Sequence, residues 1–200
     1  MSRAALGFRA HSGWAAMVAL EGSAASPRVI LRRRLELLDR GIQGAAQPYH
    51  TAAEMNLPDA EAFLDRCRES THAAAGHAMR ESLEELARKG YQVSAGCVLQ
   101  GSGRNGTDLR TILGSHPLLH TAEGQFYRGA LQAACVACGV TVACVKEKEA
   151  SATTARALGF TPDELERRIA ELGKLIGPPW RQDQKLSAMG AWLVLAGPSS

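Results

Sequence analysis

An alternation of apolar and charged side chains near the start of the chain constrains the fold more than any other feature. Residues 28–38 read RVILRRRLELL, a pattern with a period of two. This period is typical of a strand with one face on a core and the other in solvent. The charged face would also discourage pairing with a second molecule, which suits a strand at the edge of a sheet. The alternating set is Val29, Leu31, Leu35 and Leu37 against Arg32, Arg34 and Glu36.

Two short apolar runs precede this strand. The first, residues 4–10 (AALGFRA), ends in a His-Ser-Gly turn, and the second, residues 14–20, ends before Gly22. Apolar runs of this length that are bounded by turn residues predict strands. The chain is therefore expected to open with an antiparallel three-strand meander.

After the meander, the apolar spacing predicts helices that alternate with strands. Helices are expected over residues 59–89, 108–113, 116–139, 162–176 and 183–196, and strands over residues 91–99 and 140–145. This order predicts one α/β domain over residues 1–200, with a mixed five-stranded sheet flanked by helices. The strand at 91–99 is apolar at nearly every position and runs into a glycine-rich loop, and ligands often bind at such strand ends.

The connection between the meander and the first long helix is unusually long and irregular. Residues 40–58 contain two glycines and two prolines and show little periodicity. Loops of this length without structure of their own are uncommon in small domains and are often functional. We expect this segment to act as a lid over a site.

The totals exclude several classes of protein. The net charge is only +3, from 23 Lys and Arg against 20 Asp and Glu, so any basic surface must be local. No apolar stretch approaches the roughly 20 residues that a membrane span needs. The odd number of cysteines, without a spaced framework, favours reduced thiols and a cytoplasmic protein. These cysteines are Cys67, Cys97, Cys135, Cys138 and Cys144.

Two short motifs carry a resemblance to a known family. Leu6-Gly7-Phe8 before a turn and Gly13-Trp14-Ala15 after it are similar to the opening hairpin of the ribonuclease H-like fold, in its Holliday-junction-resolvase-like branch. Gln182-Asp183-Gln184-Lys185, which leads into Ser187-Ala188-Met189, resembles the last helix of those proteins. Together with the order of elements, the resemblance covers nearly the whole chain and implies a ribonuclease H-like fold.

The resemblance also implies a metal-dependent nuclease site, and this chain departs from it. The family has a metal-binding aspartate at the end of the first strand, where Arg9 stands here, and a carboxylate near the position of Gln100. Only the aspartate of the last helix has a counterpart, Asp183. Two-metal cleavage needs clustered carboxylates. A degenerate active site is therefore expected.

Polar residues near the predicted strand ends form a first candidate site. Arg9 with neighbouring cations could bind an anion in place of a metal, and the loop at residues 101–106, which includes Asn105, could hold a phosphate through its amides. A flexible turn and a solvated strand exit are the plainer interpretations of the same residues. The predicted ligand-binding residues are Arg9, His11, Gln100, Arg104, Lys146 and Asp183.

A second candidate site lies at the start of the helix predicted over 116–139. His116, His120 and Glu123 are spaced so that one side of a helix could hold all three. Imidazole and carboxylate suit a divalent transition metal or acid–base catalysis, whereas the plainer interpretation is a capped helix start. A divalent metal is therefore a cofactor to test. The Cys135 and Cys138 pair is expected to be packed rather than metal-binding or redox-active, and His50, His72 and His77 are assigned no role.

Three functions stay open. The first is binding of nucleic acid or another phosphate-bearing ligand on a ribonuclease H-like scaffold, without standard two-metal nuclease chemistry. The second is a hydrolase, metal-dependent or not, that uses His116, His120 and Glu123 as catalytic residues. The third is a structural or interaction protein, in which a helix of small residues supports a homodimer. The site hypotheses require Arg9 and the helix that carries His120 to meet in one pocket at the open edge of the sheet.

Overall fold

The structure is a computed structural model that describes residues 1–104, 106 and 108–197. The strands are β1 (Ser2–His11), β2 (Trp14–Ser23), β3 (Ser26–Glu36), β4 (Tyr91–Gln100) and β5 (Thr141–Lys146). The helices are α1 (Pro48–Ala52), α2 (Leu57–Arg88), α3 (Leu109–Leu113), α4 (His116–Ala137), α5 (Glu147–Leu158), α6 (Pro162–Ile176) and α7 (Gln182–Ala196).

The five strands form one mixed sheet in the order β3-β2-β1-β4-β5. Antiparallel pairing joins β1 to β2 and β2 to β3, which is the predicted meander, and the arginine-rich β3 lies at an edge of the sheet as expected. Parallel pairing joins β1 to β4 and β4 to β5. The ends of these three strands, His11, Gln100 and Lys146, therefore meet at one side, which we call the carboxyl edge.

Each face of the sheet carries its own core. On the first face, which we call the α4 face, α2 and α4 cover Leu6 and Phe8 of β1. On the opposite face, the α7 face, α5, α6 and α7 cover Ala5 and its neighbours. Successive side chains of a strand point to opposite faces, so Ala5, Gly7 and Arg9 all belong to the α7 face.

The closest approach between layers is that of α7 to β1. A Cβ atom at Gly7 would lie 1.8 Å from the carbonyl oxygen of Ser187 and 2.6 Å from the nitrogen of Ala191, both on α7. Only a residue without a side chain lets the helix lie this close to the strand. Along α7 the fully buried residues include Ala188, Ala191 and Trp192, so the helix is enclosed over much of its length.

The segment at residues 40–58 is more ordered than its composition indicates. It contains α1 and packs through Ala45 and Ala52 against Phe63 of α2. The hydroxyl of Tyr127, on α4, donates a hydrogen bond of 2.7 Å to the carbonyl of Ala45. The role of this segment as a lid stays a prediction.

Two helices were not predicted from the sequence, α1 and α5. Helix α5 begins at Glu147, directly after β5. Lys148 therefore lies on a helix and not in an irregular segment after the strand. Across the described ranges, no helix is both long and apolar enough to cross a bilayer.

Replacing Gly7 with alanine tests the contact between β1 and α7. The added methyl group meets backbone atoms that cannot rotate away, so we expect the free energy of unfolding to fall by about 3 kcal/mol. Gly129→Ala is the matched control, because a Cβ atom at Gly129 meets nothing within 4 Å. Within α4 this change should stabilise by about 0.5–1 kcal/mol. Urea unfolding measures both, and equal stabilities of the two variants would contradict the contact.

Candidate functional site

Arg9 lies at the carboxyl edge between two carboxylates that come from different helices. Its Nε and Nη2 donate hydrogen bonds of 3.0 and 2.7 Å to the two carboxylate oxygens of Glu147, at the start of α5. Its Nη1 donates to Oδ1 of Asp183, in the first turn of α7. Arg9 therefore ties β1 to α5 and α7 through three charge-assisted hydrogen bonds.

His11 joins the same group and extends it to an aromatic ring. Its Nε2 lies 2.8 Å from Oδ1 of Asp183, and its ring stacks on Trp14 with 4.2 Å between ring centroids. The guanidinium carbon of Arg34 lies 3.9 Å from the centre of the Trp14 ring. The three-strand meander thus presents an imidazole, an indole and a guanidinium side by side at the carboxyl edge.

The ion pairs shift the pKa of Arg9 and the pKa of Asp183. Hydrogen bonds to Glu147, with a smaller contribution from Asp183, raise the pKa of Arg9 despite its partial burial. Burial opposes the ionisation of Asp183, but hydrogen bonds from His11 and Arg9 outweigh it and hold the pKa of this carboxyl below its usual range. Asp183 is therefore an anion that is already paired with Arg9 and in contact with His11.

Arg128, on α4, is a second guanidinium near the carboxyl edge, and no sequence pattern singles it out. It lines a cavity of about 250 Å³ together with Gln100, Gly101, Gly103 and His120. Its Nε is buried without a partner, and its guanidinium forms no hydrogen bond or ion pair with any other described residue. Burial lowers the pKa of Arg128, against the opposing effect of the charge on Glu147.

The glycines of this cavity make room for the guanidinium. A Cβ atom at Gly101 would lie 3.0 Å from Nη2 of Arg128, and one at Gly124 would lie 2.6 Å from the same atom. Gly101 directly follows β4, and Gly124 lies on α4. A side chain at either position would displace Arg128 from the cavity.

The remaining predicted cations are exposed. Arg104 lies in the glycine-rich loop. Lys146 ends β5, and its Nζ lies 3.5 Å from Oε1 of Glu149, which is also exposed. The side-chain amide of Gln100 donates to the carbonyl of Val98 and to the sulfur of Cys144. Asn105, which the sequence indicated as part of a phosphate loop, lies outside the described residues.

Three histidines form a cluster at the start of α4. Nε2 of His116 and Nε2 of His120 lie 3.1 Å apart, one helical turn from each other. His50, from α1, brings its ring to 4.8 Å from that of His120. One ligand nitrogen from each of the three residues lies within 4.8 Å of the other two. The sequence assigns no role to His50, whereas the structure places it beside His116 and His120.

Glu123 is not part of this group of three ligand nitrogens, but its carboxylate contacts the ring of His50. Its Oε2 lies 2.8 Å from Nδ1 of His50, and its side chain is 5% exposed. Burial raises the pKa of Glu123, while hydrogen bonds from His50 oppose that shift. Its other oxygen, Oε1, is buried without a partner among the residues described.

The Cys135 and Cys138 pair is not arranged for redox or metal chemistry. Cys135 is fully buried, and burial raises the pKa of its thiol to about 12, which disfavours the thiolate that such chemistry needs. The interpretation of this pair as packed side chains therefore agrees with its surroundings.

The polar candidates do not converge in a single pocket, contrary to the expectation from sequence. Arg9, His11 and Asp183 lie on the α7 face, whereas α4, which carries His120 and Arg128, packs on the opposite face. Gln100 links the two groups because it ends β4 at the edge and lines the cavity that also includes His120.

Three residues of these groups were missed by sequence reasoning. Glu147 had a usable signal, because it follows β5 directly and parallel strands end at the same edge. Arg128 and His50 had none. Arg128 is distant in sequence from the loop that it faces, and His50 lies about 70 residues before the helix that completes its cluster.

These features define an α/β protein of the ribonuclease H-like fold, with a mixed five-stranded sheet flanked by helices. No family model matches the chain, and no curated protein matches it either. Two solved structures of RuvC from Thermus thermophilus are similar to it. The first, RuvC in complex with a Holliday junction substrate, has a TM-score of 0.54 at 9% identity and covers 96% of this chain and 91% of that chain.

The second similar structure is T. thermophilus RuvC, with a TM-score of 0.53 at 13% identity, and it covers 95% of this chain and 92% of that chain. At these identities the likeness concerns the fold. The fold class and the resolvase-like resemblance that the sequence indicated are confirmed.

Replacing Asp183 with asparagine should reduce the acid sensitivity of the protein. The pKa of Asp183 is below its ordinary value of about 3.9, so its ionised form stabilises the fold above that pH, and this contribution is lost as the pH falls below it. Thermal midpoints between neutral pH and acid should therefore fall less for Asp183→Asn than for the wild type. Asp163→Asn removes an exposed carboxylate on α6 and should leave the profile unchanged. Identical profiles for all three proteins would contradict the role of the pair.

Proposed function

We propose that this protein binds nucleic acid or another phosphate-bearing ligand at the carboxyl edge of its sheet, without two-metal nuclease chemistry. The observation that carries the proposal is the pairing of charges at this edge. On the α7 face, Arg9 forms ion pairs with the carboxylates of Glu147 and Asp183. On the α4 face, the guanidinium of Arg128 has no partner among the described residues.

The residues at the carboxyl edge do not fit a pair of divalent cations. Magnesium is held by carboxylate oxygens and keeps several waters. Here both oxygens of Glu147 accept hydrogen bonds from Arg9, and Oδ1 of Asp183 accepts from Arg9 and lies against His11. A guanidinium at the centre of the group would repel a metal ion, and Gln100 supplies no charge to attract one. We therefore derive no cleavage step at this position.

An anion fits the cavity on the other face. Arg128 has donors to spare, and an arginine fork matches the oxygens of a phosphate. Gly101 and Gly103 line the same cavity, and the missing side chain of Gly101 leaves room there for the guanidinium. We propose that Arg128 supplies the central positive charge, with Gln100, Arg104 and Lys146 around it. In this arrangement Arg9, His11 and Asp183 hold the edge in shape.

Nucleic acid is the phosphate-bearing ligand that the scaffold favours. One of the two similar RuvC structures is a complex with a Holliday junction, and the likeness covers nearly all of both chains. With a net charge of only +3, the number of phosphates neutralised should be small.

Removing Arg128 tests the binding proposal. We expect the wild type to bind a short labelled DNA, measured by fluorescence anisotropy on a four-way junction, a duplex and a single strand. Arg128→Gln should weaken binding about 10- to 100-fold, because a hydrogen bond to a charged group contributes about 1.5–3 kcal/mol. The change should also lower the slope of the logarithm of the binding constant against the logarithm of the salt concentration by about one, the value for one phosphate contact.

Arg88→Gln is the matched control for this experiment. Arg88 is exposed at the end of α2, next to the start of β4, so the same charge is removed at the side opposite the carboxyl edge. It should leave affinity nearly unchanged. Equal effects of the two changes, binding that is insensitive to salt, or no binding of DNA, RNA or polyphosphate would contradict the proposal. Competition by polyphosphate alone would indicate a ligand other than nucleic acid.

The absence of two-metal chemistry can be measured directly. Wild-type protein incubated with a labelled four-way junction and Mg²⁺ or Mn²⁺ should give no cleavage above a protein-free control, because Arg9 holds the carboxylates that such chemistry would need. Gel analysis under denaturing conditions measures this. Metal-dependent cleavage that disappears in Asp183→Asn would contradict the proposal, since it would show that Asp183 serves a metal.

A further inference from the structure

The histidine cluster at the start of α4 has the composition of a transition-metal site. We propose that His50, His116 and His120 bind one divalent transition-metal ion of the zinc class, with Glu123 as the residue that orients His50. His120 also lines the cavity of Arg128, but the ligands proposed for the ion do not include Arg128, on which the anion site depends, so either proposal can fail without the other.

The spacing of the nitrogens suits one small ion. A zinc ion holds imidazole nitrogens at about 2.0–2.1 Å, which places two tetrahedral ligands roughly 3.4 Å apart. Nε2 of His116 and Nε2 of His120 are already 3.1 Å apart, and all three ligand atoms lie within 4.8 Å of one another. Rotation of the exposed His116 and His120 rings would bring the three nitrogens around one ion, while Glu123 holds the ring of His50.

The local sequence holds the rings in position. His116 and His120 are separated by four residues on α4, so they lie one above the other on the same side of the helix. Pro48 and Pro117 stand in the first turns of α1 and α4, where proline is tolerated and fixes the backbone. The ring of His50 contacts those of His116 and His120, so the two helices begin beside each other. Their histidines lie in the first or second turn.

Glu123 gives His50 the orientation of a metal ligand. Metal-binding histidines commonly donate their second ring N–H to a carboxylate, which fixes the tautomer and the ring plane. Oε2 of Glu123 lies 2.8 Å from Nδ1 of His50, so Nε2 of His50 is left with its lone pair for an ion. Glu123 is buried, and one of its oxygens has no partner in the described part of the chain, so a nearby positive charge would stabilise its ionised form.

The ligand type selects the class of ion. Imidazoles suit zinc, copper, nickel and iron, whereas magnesium and calcium prefer oxygen ligands. Three histidines leave the fourth position of a tetrahedral ion to water, or to an anion in the adjoining cavity, because His120 also lines that cavity. His116 and His120 are exposed, so an ion has direct access from solvent.

The test is metal binding by the full chain purified without an affinity tag. After chelation and dialysis, titration with Zn²⁺ followed by calorimetry should give one equivalent of tightly bound metal. His120→Ala and His50→Ala should each weaken binding by more than about 100-fold, since the loss of an orienting carboxylate alone weakens binding about 10- to 100-fold. That smaller loss is expected for Glu123→Gln.

Two controls locate the ion. His72→Ala removes an exposed histidine from α2 and should leave binding unchanged. Because His50→Ala leaves Glu123 buried without its donor, His50→Asn is a second variant that keeps a donor while removing the ring. Circular dichroism of the metal-free variants checks that each one is folded.

The absorption of the Co²⁺ form distinguishes this site from a thiol site. Nitrogen ligands in tetrahedral geometry should give visible bands without the near-ultraviolet thiolate band that ligation by Cys138 or Cys144 would add, and Cys144→Ser should leave the spectrum unchanged. Stoichiometric binding that persists in folded His50 and His120 variants would overturn the proposal. So would a thiolate band, or the absence of binding by the wild type.

Discussion

The contact between β1 and α7 at Gly7 determines the arrangement of the carboxyl edge. Because Gly7 has no side chain, α7 lies directly against the strand, with Ser187 opposite the glycine. Two strand residues rise about 6.6 Å and four helical residues about 6 Å, so moving from Gly7 to Arg9 matches moving from Ser187 back to Asp183. The pairing of Arg9 with Asp183 follows from this contact, and Glu147 joins because β5 ends beside β1 and β4 at the same edge.

The sheet then separates two kinds of polar chemistry. On the α7 face, positive and negative groups neutralise one another and connect a strand to two helices. On the α4 face, Arg128 and the three histidines have few partners among the described residues, and they face cavities and solvent. Groups of the first kind preserve a shape, whereas groups of the second kind have coordination or hydrogen-bonding capacity left for a ligand. This contrast is why we attribute binding to the α4 face, although Arg9 was the more conspicuous residue in the sequence.

The helical face of α4 shows where pattern reasoning reaches its limit. The spacing of His116, His120 and Glu123 correctly placed them together on one helix, but it does not indicate which side of that helix is buried. Ala133 and Ala137 are exposed, whereas Glu123 and Tyr127 are buried. Alanines have little hydrophobicity to orient a helix, and Tyr127 and Glu123 reach polar partners in the segment at 40–58, which offsets the cost of burying them.

The sequence alone determined the meander, the alternation of helices and strands, the mixed sheet and the likeness to resolvases, because apolar periodicity and turn residues are local properties of the chain. Through the resemblance to that family it also indicated Arg9, Gln100 and Asp183 as positions of one site. Only the tertiary structure decided which charges meet. His50 and Glu123, Arg9 and Glu147, and Arg128 and Gly101 are distant in sequence, and their contacts follow from how α1, α4 and α5 pack on the sheet, which no local pattern encodes.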